Sequence, residues 1–108
     1  MTLTVSFHPE AVAEFRANVA WYDEKRDGWG SRFEAAVDDV IEILLVWPES
    51  GAVWACDSEQ TVRSYGISRF PYRLVYFVDH SEIIVIALVH NKRKPGYWRS
   101  RLTPVDQS

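Results

Sequence analysis

Residues Tyr72 to His90 read YRLVYFV-DHS-EIIVIALVH, two strand-length apolar runs around three turn residues. This is a β-hairpin pattern, and it is apolar on both faces. If Val78 pairs with Ile83, one face carries Arg73, Val75, Phe77, Ile84, Ile86 and Leu88, with His90 diagonal to Arg73. The other carries Tyr72, Leu74, Tyr76, Val85, Ala87 and Val89. A slip of one residue would exchange the two sets. An isolated hairpin of this kind is not stable in water, so both faces need cover.

The rest of the chain offers little to cover them with. Thr2–Phe7 alternates Leu3, Val5 and Phe7 against Thr2, Thr4 and Ser6, the period of a half-buried strand. Pro9 and Glu10 suit a helix start. From there to about Arg26, Val12, Phe15, Val19 and Tyr22 recur at helical spacing. RDGWG interrupts the pattern, and a second helix starts near Ser31 or slightly earlier. Ser31 and Glu34 there fit a capping box. Phe33, Val37, Val40, Ile41, Leu44 and Leu45 form its apolar stripe, and Pro48 ends it. Residues 49–60 read as an irregular loop, and TVRSYG (61–66) as a further strand. The expected order is β-α-α-β-β-β in an α+β fold. A helical hairpin would pack on one face of a mainly antiparallel four-stranded sheet. Two helices cover one face, so the sequence predicts an apolar sheet surface left open for a partner.

A chain of 108 residues suits one domain, here 1–108 with a basic C-terminal tail at 91–108. Five each of Phe, Trp and Tyr exclude a disordered class. The longest apolar run, Ile83 to Val89, is too short to span a bilayer. The first ten residues lack a basic region followed by an apolar one, and Cys56 has no partner, which together suggest a cytoplasmic protein. One Cys and three scattered His suggest no metal centre, and no cofactor is implied. The acidic helix face of Glu34, Asp38, Asp39 and Glu42 reads as solvated. Residues 1–59 carry 4 basic and 12 acidic side chains, a net −8. Residues 60–108 carry 8 and 3, a net +5. Such a split suggests two faces with different partners.

The element order resembles the RelE/ParE toxin superfamily of type II toxin–antitoxin modules. So do Pro48 closing the second helix, Val62-Arg63 opening the next strand, FPYRLVY (70–76) and LVHNKRKPGYWRSR (88–101). RelE-like members cut mRNA in the ribosomal A site, and ParE-like members poison DNA gyrase. Both are held by an antitoxin that adds a strand or lays a helix on the toxin. The resemblance implies an antitoxin surface at the expected open face (Tyr72, Leu74, Tyr76, Val85, Ala87 and Val89) and a hetero-oligomer with that antitoxin. It also implies target contacts from the tail cations Lys92, Arg93, Lys94, Arg99 and Arg101.

Metal-free RNA cleavage needs a base, an acid and cations for the phosphorane. Arg63, Arg73, His90 and Arg93 are the candidates for that alternative. Arg73 matches a strand Arg of RNA-cleaving members. Their terminal His and aromatic positions hold Asn91 and Lys92 here, and His90 falls one residue earlier, as in ParE-like members. Loop 48–60 is acidic, and a net −3 chain suits a phosphate-walled ribosomal cavity poorly. The expectation is a ParE-like toxin directed at gyrase, with ribosome-dependent mRNA cleavage, or a non-toxic member that keeps the fold and antitoxin binding, as alternatives.

Overall fold

The structure is a computed structural model that describes residues 3–56, 60–93 and 96–102. The chain runs β1 (Thr4–Phe7), α1 (Pro9–Lys25), α2 (Trp29–Val46), β2 (Ala52–Cys56), β3 (Thr61–Gly66), β4 (Tyr72–Asp79), β5 (Glu82–His90) and a 3-10 turn, η1 (Arg99–Leu102).

Pro9 occupies the first turn of α1, and the ring nitrogen Nδ1 of His8 accepts the Glu10 N–H at 3.1 Å. Gly28, with φ of 87°, sits at the break between the helices. α2 begins at Trp29, so Ser31 lies inside the helix and the expected capping box does not form. Its cap comes from the neighbouring helix instead: Asp23 Oδ1 accepts the Gly30 N–H at 2.8 Å. A Cβ on Gly30 would stand 2.6 Å from that carboxylate, so any other residue here would displace the Asp23 cap.

Five strands form one sheet in the order β1-β5-β4-β3-β2. β1 runs parallel to β5, and every other neighbouring pair is antiparallel. The α+β class and helical hairpin agree with the sequence; the strand number does not. The added strand is β2, inside the stretch expected to be irregular. Its pairing with β3 shifts between Val53 and Ala55. That irregularity removes the period-two signal by which a short strand is recognised.

The helices cover one face. Ala11, Phe33, Val37, Val40 and Leu44 meet Leu74, Tyr76, Ile83, Val85 and Leu88 in one buried cluster. Burial is worth about 1.5–3 kcal/mol for each large apolar side chain, so this layer is the main source of stability. Aromatic rings close its end. Phe33 lies 5.1 Å from Phe70 and 5.3 Å from Tyr22, and the Tyr72 hydroxyl donates to Asn18 Oδ1 at 3.1 Å.

The β4–β5 register matches the expectation from Val78↔Ile83 through Tyr76↔Val85, then shifts by one. Val75 pairs with Ala87 rather than Ile86, and Arg73 with Val89 rather than Leu88. Ile86 is the extra residue of a bulge, and beyond it every β5 side chain changes face. The six residues expected to form one open surface are therefore divided. Tyr72, Leu74, Tyr76 and Val85 lie against the helices, whereas Ala87 and Val89 lie on the opposite face.

That opposite face is also covered. Val62, Val75, Phe77, Ile86, Ala87 and Val89 pack with Trp98, and Tyr97 and Leu102 add to the cluster. Trp98 is only 1% exposed. Gly96, at φ of 93°, turns the chain so that the C-terminal segment folds back over the sheet. The expected bare sheet face is thus not observed, because the chain's own tail supplies the second cover.

Candidate partner-binding face

The tail is held down through Glu14 on α1. Its carboxylate accepts Arg101 Nη1 and Nη2, each at 3.1 Å, the Tyr97 hydroxyl at 2.7 Å and the Leu88 N–H at 3.0 Å. Arg101 Nη1 also donates to the Ile86 carbonyl at 2.9 Å. β1 pairs with β5 only as far as Val85. The lock therefore satisfies backbone groups on the stretch of β5 edge that β1 leaves unpaired. Burial, then the hydrogen bond to Glu14 and its charge, push the Tyr97 hydroxyl up to about 12. Arg101 was expected to be an outward contact for a target; here its guanidinium is nearly buried and structural.

Beside this lock lies a cleft of about 170 Å³ lined by Trp54, Ser64, Arg73, Val75, Val89, His90, Asn91, Arg93 and Trp98. Arg73 Nε donates to Ser64 Oγ at 3.0 Å, and Nη2 to the Ser64 carbonyl at 3.4 Å. Arg93 sits over the Tyr97 ring at 3.7 Å, and Arg99 over Trp54 at 5.2 Å. Trp54 in turn stacks edge-on against Trp98 at 4.6 Å. Lys92, Arg93 and Arg99 are exposed, as expected of target contacts, while Lys94 lies outside the described residues.

The four groups considered for RNA cleavage divide between locations. Arg73, His90 and Arg93 line the cleft. Arg63 does not: its Nη1 donates to the carbonyls of Glu49 at 3.1 Å and Gly51 at 3.0 Å, tying down the turn before β2. Nearby, the Tyr76 hydroxyl donates to the Pro48 carbonyl at 2.7 Å and accepts the Gly51 N–H at 3.0 Å. His90 pairs with Tyr72 across the ladder rather than lying diagonal to Arg73, and its ring meets the Tyr72 ring edge-on at 5.0 Å. Its Nδ1 accepts the Lys92 N–H at 3.0 Å.

Buried positions cannot serve a partner directly, and Leu74, Tyr76, Val85, Ala87 and Val89 are all buried. The large apolar residues that do reach solvent include Ile43, Val46 and Trp47 at the end of α2 and Val53 and Trp54 on β2. β2 is an outer strand of the sheet, with pairing to β3 alone. Sequence reading missed this rim because its residues come from a helix end and from a strand that had not been recognised. Near the turn between the helices, Tyr22 joins the core, Trp21 is half exposed, and Trp29 packs on Phe70 beneath Arg26 and Arg32.

No helix among the described residues is long and apolar enough to cross a membrane. No curated protein matches the sequence. A solved structure titled "Chromosomal ParDE TA system from P. aeruginosa" shares the fold with a TM-score of 0.60 and 17% identity, over 82% of this chain and 96% of that one. The sequence profile described as ParE toxin of type II toxin-antitoxin system, parDE, matches residues 5–95. With the helical hairpin, the mixed sheet and the sequence from Val5 into the basic tail all in agreement, the chain belongs to the ParE toxin family.

Proposed function

We propose that this chain is a cytoplasmic ParE-like toxin that acts by binding and inhibiting DNA gyrase and is neutralised by a cognate antitoxin. The family match over residues 5–95 carries the reading. The chemistry of the cleft agrees with a binding role. RNA cleavage requires a base and an acid on either side of the scissile phosphate. Acid–base cleavage needs two proton-transfer groups, and the cleft lining holds one histidine, His90, and no carboxylate. Arg63, the fourth group of the nuclease reading, is engaged with the Glu49 and Gly51 carbonyls away from the cleft.

The antitoxin would engage the solvent-facing rim of Ile43, Val46, Trp47 and Val53, where β2 offers an edge for strand addition. The test is supercoiling by purified gyrase with the purified chain added. Loss of supercoiling, restored by the antitoxin, is expected. Unaffected supercoiling at excess toxin removes gyrase as the target. Discrete cuts in translated mRNA, abolished by Arg73→Ala, would instead establish the ribosome-dependent nuclease.

A further inference from the structure

We infer that the Arg73 cleft is a carboxylate-binding site that receives an acidic side chain from a protein partner. Ser64 holds the Arg73 guanidinium through Nε and Nη2, which leaves Nη1 and the second Nη2 hydrogen for a ligand. Among the described residues no carboxylate neutralises Arg73, Arg93 or Arg99. Glu14 approaches this region through its hydrogen bond to Tyr97, but it is engaged by both terminal nitrogens of Arg101.

The cleft therefore gathers positive charge in surroundings that favour an anion. Val75, Val89 and Trp98 give it an apolar lining, which strengthens a charge-assisted hydrogen bond formed there. Arg93 and Arg99 are held on aromatic rings nearby, so part of the cost of ordering them is met before a partner arrives. A space of about 170 Å³ is below the roughly 300 Å³ at which sites for small-molecule ligands begin, and is room for a single acidic side chain. The exposed Arg93 and Arg99 beside the cleft would draw an acidic segment to it. The inference rests on the reading of this face as a partner-binding face, but not on gyrase being the target.

The experiment is a titration of the isotopically labelled full chain, followed by NMR at the Arg73 Nε–H and the Trp54 and Trp98 indole N–H. The probes are a capped hexapeptide with glutamates at alternate positions, the same peptide with glutamines, and sodium phosphate at matched ionic strength. The glutamate peptide should give saturable shifts, and R73Q and R93Q should each weaken it about tenfold. Equal shifts with the glutamine peptide, no saturable shift, or unchanged affinity in R73Q would overturn the assignment. Saturation by phosphate but not by the glutamate peptide would overturn it too. If R73Q does not fold, the exposed-site variants R93Q and R99Q decide the question, and unchanged affinity in both would overturn it. Supercoiling is measured in parallel: peptide binding without gyrase inhibition removes only the gyrase reading, and gyrase inhibition without peptide binding removes only this one.

Discussion

Glu14 and Arg101 have the largest expected consequences of any single side chains at the surface of this protein. Their side chains are 18% and 11% exposed, so Glu14 relies on Arg101, and Arg101 on Glu14 with a longer contact to the exposed Glu10 at 3.8 Å. Glu14→Gln should cost about 3 kcal/mol, because it leaves the desolvated Arg101 with only the exposed Glu10, 3.8 Å away, as counter-charge. Urea unfolding checks this; a change below about 1 kcal/mol would mean that the pair behaves as an ordinary surface ion pair. Tyr97 supplies a prediction in pH. Its folded-state pKa, about 12, lies above the ordinary tyrosine value of 10.0, so the unfolded chain loses the proton first. The contribution is complete below pH 10 and declines as pH rises through 12. Tyr22, Tyr72 and Tyr76, also raised by burial, act in the same direction. Unfolding free energy should therefore fall between pH 10 and 12, and Tyr97→Phe should flatten that slope. An unchanged slope in the variant would contradict the assignment.

Among elements, the bulge in β5 and the tail belong together. By shifting the register at Ile86, the bulge directs Ala87 and Val89 toward Trp98 and Leu88 toward the helices. Trp98→Ala should cost about 3–5 kcal/mol by emptying the centre of the second layer. It should also raise binding of a hydrophobic dye, since Val62, Val75 and Ile86 would meet water. Dye binding at the wild-type level would mean that another segment covers the sheet. Gly30→Ala examines the helical hairpin. The added methyl would stand 2.6 Å from the Asp23 carboxylate that caps α2, so a loss of about 1–3 kcal/mol is expected in thermal or urea unfolding. Capping at this point was hidden in the sequence. Ser31 and Glu34 have the spacing of a capping box, but a residue seven positions earlier on the other helix performs the task.

At the scale of the whole molecule, positive charge collects around the cleft while most acidic side chains lie in the helical half. A partner that binds only the folded toxin must stabilise it by mass action. An antitoxin at a hundredfold its Kd should add about 2.7 kcal/mol, read as a melting temperature that rises with antitoxin concentration; a concentration-independent melt would argue against specific binding. The two helices, four of the strands and the start of the β4–β5 register were legible in the sequence, because periodicity and turn residues act over a few neighbouring positions. Where the bulge falls, what caps α2, and which residue pairs with Glu14 were decided only when distant segments met. Leu88, Tyr97 and Arg101 reach Glu14 across 74, 83 and 87 positions of chain, a convergence that no local pattern encodes. The sequence determined that the hairpin needs cover on both faces, because burying apolar surface is obligatory in water. Only the tertiary structure decided that the basic tail provides the second cover, because the bulge and the turn at Gly96 bring Trp98 onto that surface.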